Sequence, residues 1–121
     1  MVERISISTL EKLMIGDVGE HAICVVKFYS NGCHLCHALK DTYEQIAGEY
    51  KDFDNIYFFA FNTNDVMSIK EYIDVDGTPS ICAIDTSGKN KISILADPPA
   101  PHPETWFTAS YIKRFIEKAR K

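Results

Sequence analysis

The 121-residue sequence predicts an α/β domain with a central mixed sheet of four or five strands and helices on both faces. Three short runs are almost wholly apolar and rich in β-branched and aromatic residues, which is typical of strands buried on both faces. Between them lie segments in which apolar residues recur every three or four positions, as in amphipathic helices. With 45% hydrophobic residues, the composition suffices for one core, and we expect a single domain over residues 1–121.

The N-terminal quarter predicts a strand, a helix and a central strand. Residues Ile5–Ser8 form a short first strand, and Ser8 with Glu11 has capping-box spacing for a helix through about Ile15. Residues 22–30 are nearly all apolar and predict the central strand.

The second helix is predicted to begin at the pair Cys33 and Cys36, with Ser30 or Asn31 as its cap. Its apolar residues are spaced by three and four and define one buried stripe: Cys36, Leu39, Tyr43, Ile46, Ala47 and Tyr50. The charged and polar residues His37, Lys40, Asp41 and Glu44 then face solvent.

Two more buried strands are predicted at Asn55–Asn62 and Ser80–Asp85, with a hairpin partner for the latter in Lys91–Ala96. A short helix between them is capped by Asn64 or Asp65 and directs four apolar residues inward: Val66, Ile69, Tyr72 and Ile73. The resulting order is β-α-β-α-β-α-β-β-α, with four helices.

The last quarter of the chain predicts a stiff loop followed by a helix. Residues 97–107 contain four of the five prolines, so this segment is not helical. Thr108 or Ser110 caps a final helix with one apolar face: Tyr111, Ile112, Phe115, Ile116 and Ala119. Trp106 and Phe107, at the end of the loop, either border a binding groove or pack under this helix.

The Cys33-His34-Leu35-Cys36 segment carries the chemistry. A strand ends just before it and a helix begins at it, so the free N–H groups of the first helical turn favour a thiolate at Cys33. Two intervening residues bring the sulfur of Cys36 within reach, so Cys33 can attack a substrate disulfide and Cys36 can resolve the mixed disulfide. Cys24 and Cys82 stand alone inside apolar runs and are predicted core residues.

The segment from Val26 to Cys36 resembles the active-site strand and turn of the thioredoxin superfamily, and Gly77-Thr78-Pro79 resembles that family's cis-proline turn. The resemblance runs from about Ile5 to the last helix. It implies the thioredoxin fold, a protein-disulfide oxidoreductase active in cell redox homeostasis, and no bound cofactor. It also implies that Pro79 is cis and faces the cysteines, and that Gly32, Gly77, Thr78 and Pro79 bind substrate. Electrons would come from a reductase or from glutathione.

Two departures from the thioredoxin pattern predict a less reducing couple. The family's Trp-Cys-Gly-Pro-Cys is here Gly32-Cys33-His34-Leu35-Cys36, and its buried acid is replaced by Lys27, with Ala60 in place of the partner lysine. His34 can stabilise the Cys33 thiolate by a hydrogen bond or by its positive charge, which would lower the pKa of Cys33. A charged Lys27 beneath the pair would also favour the thiolate. Alternatively, the Lys27 amine reaches solvent or pairs with a carboxylate.

Three other functions fit parts of the pattern. The segment Cys33–His37 also satisfies C-x-x-C-H, the attachment signature of c-type haem, but it follows a strand and lies in a chain with several strands. A zinc site would need a fourth ligand that the local sequence does not offer. The remaining alternative is a non-catalytic or redox-sensing module that binds proteins through the same fold.

Charge and hydropathy exclude some partners. The net charge of −4 provides no basic surface for nucleic acid or anionic membrane. The apolar runs Ala22–Tyr29 and Ile56–Phe61 are too short to span a bilayer, and the N-terminus lacks the pattern of a signal peptide. We therefore expect a cytoplasmic protein whose partners are protein disulfides.

Overall fold

The computed structural model describes residues 2–121. Its five strands are β1 (Val2–Arg4), β2 (Ile23–Tyr29), β3 (Ile56–Asn62), β4 (Ser80–Asp85) and β5 (Ile92–Ile94). Its three α-helices are α1 (Ile7–Ile15), α2 (His34–Glu49) and α3 (Ala109–Ala119). The strands form one sheet in the order β1-β3-β2-β4-β5, in which β1, β3 and β2 are parallel and β4 and β5 are antiparallel additions. The mixed five-stranded sheet confirms the predicted fold class.

The sheet separates two apolar layers. On one face, α2 and α3 pack with Val25, Phe58 and Ile81, and the layer is completed by Phe107. On the other face, α1 and the segment before β4 cover the remaining apolar side chains of the central strands: Cys24, Val26, Phe28, Phe61, Cys82 and Ile84. Helices therefore lie on both faces, as predicted, and β2 is buried along nearly its whole length.

The first strand and the cap of the first helix were placed wrongly from the sequence. The strand is Val2–Arg4 rather than Ile5–Ser8, and it pairs in parallel with β3 from Val2 against Phe58. Ser6, not Ser8, is the N-cap, because its hydroxyl accepts a hydrogen bond from the Thr9 amide. A cap at Ser6 starts the helix two residues earlier, which leaves no room for a strand over Ile5–Ser8.

The predicted helix after β3 is also wrong. Residues 63–71 instead form two short 3-10 turns, Thr63–Asp65 and Ile69–Glu71. The Asn62 side chain accepts from the Asn64 amide, and the Thr63 hydroxyl donates to the carbonyl of Tyr29. These side-chain bonds to the backbone, one local and one to β2, compete with helical ones, so this polar stretch forms turns. Ile73 is buried, whereas Val66, Ile69 and Tyr72 are only half-buried.

Candidate active site

Cys33 and Cys36 are joined by a disulfide at the start of α2, with their Cα atoms 5.2 Å apart. The strand β2 ends at Tyr29, three residues form a loop, and Cys33 is the N-cap of the helix. Cys33 is partly exposed, whereas Cys36 is only 4% exposed and begins the buried stripe of α2. The structure thus brings the two predicted cysteines together, and the more exposed of them is Cys33, the predicted nucleophile.

The cap of α2 is the sulfur itself. The Cys36 amide donates to Cys33 Sγ over 3.1 Å, so an unpaired N–H of the first helical turn points at the reactive atom. The predicted caps, Ser30 and Asn31, are wrong because their side chains have other partners. The Ser30 hydroxyl lies 2.8 Å from that of Thr78, and the Asn31 carbonyl oxygen accepts from the Asn62 amide group.

The Gly77-Thr78-Pro79 turn lies at the same end of the sheet as the cysteines. The Thr78–Pro79 peptide bond is cis, and β4 begins at the next residue. In the antiparallel pairing of β2 with β4, Phe28 lies opposite Ser80, so Thr78 and Pro79 extend past the end of β2 toward the loop that carries Cys33. The contact between Ser30 and Thr78 joins the two segments directly. Gly77 has φ of 123°, which a residue with a side chain rarely adopts.

Lys27 is buried beside the disulfide, with 5% of its surface exposed. In the sheet it lies between Ala60 of β3 and Ile81 of β4, so the family's partner lysine is indeed replaced by a small side chain. Its Nζ lies 5.1 Å from the ring centroid of Tyr43 and 5.7 Å from that of Tyr29. Burial lowers the pKa of Lys27, while the charge of Glu44 opposes this and that of Lys40 adds to it.

No carboxylate among residues 2–121 lies within ion-pair distance of the Lys27 amine. The sequence alternative in which this amine pairs with a carboxylate is therefore wrong. Tyr43, directly above it, is fully buried and donates to the carbonyl oxygens of Val25 and Phe59 over 3.1 and 2.7 Å. The hydroxyl of Tyr43 therefore bonds to the backbone and not to the Lys27 amine. The amine instead lies near the faces of the two tyrosine rings.

A cleft of about 440 Å³, here called the Lys27 cleft, opens beside the disulfide. Both cysteines line it, together with the amine of Lys27 and the rings of Tyr29 and Tyr43. Further lining residues come from β1, the Ser30–Asn31 loop and the exposed side of α2: Arg4, Ser30, Asn31, His37, Lys40 and Glu44. Sequence reasoning missed this cleft, although the two-residue alternation of β2 already placed Lys27 and Tyr29 on one face.

On the other side of the Pro79 turn, a second cleft of about 260 Å³ is here called the Trp106 cleft. Thr78, Pro79 and Trp106 line it, and the indole N–H of Trp106 donates to Asp97 over 3.0 Å. The proline-rich segment is not helical, as predicted. Phe107 is 1% exposed and packs in the core, so only Trp106 borders a groove.

Two of the four histidines lie near the cysteine pair on α2, whereas the two remaining cysteines lie in the core. His34, the first residue of α2, and His37, one turn later, are both exposed. Cys24 and Cys82 are buried in the second apolar layer, as predicted, and carry free thiols. Burial raises the pKa of Cys24 to about 12 and that of Cys82 further still, so neither thiol ionises readily.

Within residues 2–121, no three His, Cys, Asp or Glu side chains are grouped as a bound metal ion would require. Over the same residues, each helix is too short or too polar to cross a membrane.

Comparison with known proteins agrees with this geometry. The Thioredoxin family model matches residues 11–98, a range that includes the cysteine pair and Thr78–Pro79. A thioredoxin of Borreliella burgdorferi is 30% identical over 70 residues, and the match spans 58% of each chain's length. Chloroplastic thioredoxin z has a TM-score of 0.71 at 18% identity, with 98% of this chain and 94% of that one covered. The J-Trx1 fragment of ERdj5 has a TM-score of 0.70 at 17% identity, with 98% and 49% covered. Since the family model spans well over half of its residues, the chain belongs to the thioredoxin family.

Proposed function

We propose that this chain is a cytoplasmic thiol–disulfide oxidoreductase that acts on protein disulfides without a bound cofactor. The observation that carries the proposal is the position of Cys33 Sγ, which caps α2, accepts the Cys36 amide and is bonded to the sulfur of Cys36. A sulfur in this position is stabilised as a thiolate by the positive end of the helix once the disulfide is reduced. Membership of the thioredoxin family supports the same chemistry.

The exchange proceeds in two steps through a mixed disulfide. The Cys33 thiolate attacks one sulfur of a substrate disulfide, so a bond from Cys33 to that sulfur forms and the other substrate sulfur leaves with the electron pair. The Cys36 thiolate then attacks Cys33 Sγ, which closes the protein disulfide and releases the second substrate sulfur. The substrate gains two electrons and two protons, and the protein dithiol loses them. A reductase or glutathione reverses the change on the protein.

The substrate is expected to lie along Gly32 and the Gly77-Thr78-Pro79 turn. Gly32 is exposed next to Cys33, and a Cβ there would contact nothing within 4 Å, so the approach to the sulfur is open. Thr78 precedes β4 and lies outside its pairing with β2, which leaves its backbone available to an extended peptide. The bond between the Thr78 and Ser30 hydroxyls holds this turn beside the dithiol.

His34 and Lys27 are proposed as the residues that set the reduction potential. A cation near the pair stabilises the thiolate of the reduced state more than the neutral disulfide, and so makes the couple less reducing. Lys27 lies in the cleft that both cysteines line, and its amine has no carboxylate to neutralise it among residues 2–121. His34 is exposed on the first turn of α2, within the field of the same helix terminus.

Turnover and potential test this function together. We expect the reduced protein to catalyse insulin reduction by dithiothreitol and to show a Cys33–Cys36 potential above the value of about −270 mV typical of thioredoxin. The potential is measured by equilibration with glutathione buffers and mass spectrometry. A reducible disulfide without insulin turnover would instead favour the redox-sensing binding module, which the replacement of the family's buried acid by Lys27 also permits.

Trp106 is proposed to select the protein partner. It lines the Trp106 cleft beside Thr78 and Pro79, where a substrate chain bound to that turn would continue. Trp106→Ala should weaken kcat/KM for a native protein substrate about tenfold, because large aromatic residues at the edge of an interface often carry much of its binding energy. The rate with a small disulfide should not change. The matched control is Phe53→Ala. It removes an aromatic side chain that is 45% exposed and does not line the Trp106 cleft. Equal losses on both substrates would contradict selection by Trp106.

A further inference from the structure

The Lys27 cleft has an electrostatic character that disulfide exchange with proteins does not require. Among its lining residues in the described chain, three carry a positive charge, namely Arg4, Lys27 and Lys40, and Glu44 alone carries a negative one. Arg4 is held by a two-point ion pair with Asp65, with N–O distances of 2.8 and 3.0 Å. Asp65, which does not line the cleft, already neutralises Arg4. The positive charges left to act on the cleft interior are therefore those of Lys27 and Lys40.

Lys27 is the group that most needs a partner. A buried ammonium group normally has an ion pair or several hydrogen bonds, since removing a charge from water is costly. Here the amine is inside a cleft, 95% of the residue is covered, and two tyrosine rings take the place of an acid. A carboxylate entering the cleft would provide a counter-charge to an amine whose residue is almost fully covered.

The size of the cleft suits an acid that is a small molecule. A volume of about 440 Å³ lies in the lower part of the range of 300–1,000 Å³ usual for ligand pockets. Both cysteines line the same space, so a molecule that places its carboxylate on Lys27 can place a second group against the disulfide. The group that reacts with a disulfide is a thiol.

We infer that the Lys27 cleft binds small thiols that carry a carboxylate, and that such thiols reduce the Cys33–Cys36 disulfide. The inference rests on the proposed function and names the class of electron donor for the same site. The first donor thiolate attacks Cys33 Sγ, which forms a mixed disulfide and releases Cys36 as a thiolate. A second donor thiolate attacks the donor sulfur of that mixed disulfide and releases Cys33. Two thiols become one small disulfide, and their two electrons and two protons pass to the cysteine pair.

Stopped-flow reduction of the oxidised full chain tests the inference. The two probes are 3-mercaptopropionate and its methyl ester. Each rate is divided by the thiolate concentration and then by the rate of the same thiolate with a small linear disulfide, so that neither the ionised fraction nor the intrinsic nucleophilicity of the thiol enters the comparison. We expect the acid to react about tenfold faster than the ester, the effect of one charge-assisted hydrogen bond in a partly buried site. In Lys27→Met this ratio should fall to about three or below, since Lys40 still lines the cleft. Lys51→Met, which removes an exposed lysine outside the cleft, should keep the wild-type ratio.

If Lys27→Met prevents folding, the variant Lys40→Gln tests the same inference at an exposed position. Lys40 is exposed on α2, and its loss should lower the acid-to-ester ratio about threefold. Equal rates for acid and ester in the wild-type chain would overturn the inference while leaving disulfide exchange intact. So would a Lys27→Met variant that slows both probes by the same factor, because Lys27 would then act on the departing sulfur alone. Failure of every thiol to reduce the disulfide would instead overturn the proposed function.

Discussion

Cys33→Ser should lower the turnover of protein disulfides by about a thousandfold or more. A serine hydroxyl at the start of α2 can still accept the Cys36 amide, so the fold and the cap should survive. What is lost is the nucleophile, because an alcohol does not ionise appreciably near neutral pH and cannot form a mixed disulfide. The measurement is insulin reduction by dithiothreitol, with circular dichroism to confirm folding. Residual activity comparable to wild type would contradict the assignment of Cys33.

Cys36→Ser separates the two steps of the exchange. With Cys33 intact, the first attack still occurs, but the resolving sulfur is absent, so the substrate should remain bound to Cys33 as a mixed disulfide. Non-reducing electrophoresis or intact-mass measurement detects this species. Cys82→Ala is the matched control, since it removes a buried thiol from the opposite face of the sheet and should leave turnover unchanged.

The central elements of the fold follow from the sequence because their signals are long and consistent. The apolar runs of β2, β3 and β4 are each bounded by polar or turn residues, and their predicted limits agree with the structure to within one residue. The helix α2 has an apolar stripe over four turns, and all its predicted members are buried. Such segments are buried on both faces or along one whole stripe. Their sequence pattern therefore fits only one type of secondary structure, and the tertiary structure agrees with it.

The elements that were predicted wrongly are short and have polar ends. The strand β1 has three residues at the edge of the sheet, where pairing with Phe58 and Ala60 of β3 decides its position rather than its own side chains. The segment after β3 contains Asn62, Thr63 and Asn64, whose side chains bond to the backbone in ways that a count of apolar spacing does not detect. Pairing with β3 determines the first element, and side-chain bonds to the backbone determine the second.

Apart from the Pro79 turn, which the family resemblance implied, the candidate site could be predicted only where one segment holds all its parts. The position of Cys33 and Cys36 follows from a strand that ends just before a helix begins, and both are visible in the sequence. The bond between Ser30 and Thr78 and the Lys27 cleft depend on which strands are neighbours and on their register. The sequence contained a signal for the cleft, namely a lysine inside an apolar strand, but it did not show that no carboxylate among residues 2–121 lies within ion-pair distance of that lysine.

Lys27→Met should stabilise the folded protein by about 1–3 kcal/mol near neutral pH. Methionine has nearly the volume of lysine and fills the same space between Ala60 and Ile81 without a charge to desolvate. The free energy of unfolding is measured by denaturant titration of the oxidised protein. Lys51→Met, at an exposed position, is the matched control and should change it little. A loss of stability in Lys27→Met would mean that the amine has a favourable partner.

The gain from Lys27→Met should shrink at high pH. The pKa of Lys27 is lowered by burial below its ordinary value of 10.5, so between the two values the unfolded chain binds more protons than the folded one. Wild-type stability attributable to this residue therefore rises across that window, and the penalty is fully present below it. The difference between variant and wild type isolates Lys27, because tyrosines that also titrate at high pH are common to both proteins.

The same substitution should make the cysteine couple more reducing, by about 30 mV, which for two electrons corresponds to about 1.4 kcal/mol. The sign follows from the charges: Lys27 stabilises a thiolate in the reduced state and meets only a neutral disulfide in the oxidised state. Since the unfolded chain has the same potential with either residue, the stability gained must be greater for the oxidised protein than for the reduced one. The excess must equal the shift in potential converted to free energy. Equal gains in both states, with an unchanged potential, would show that Lys27 is buried beside the dithiol without acting on it.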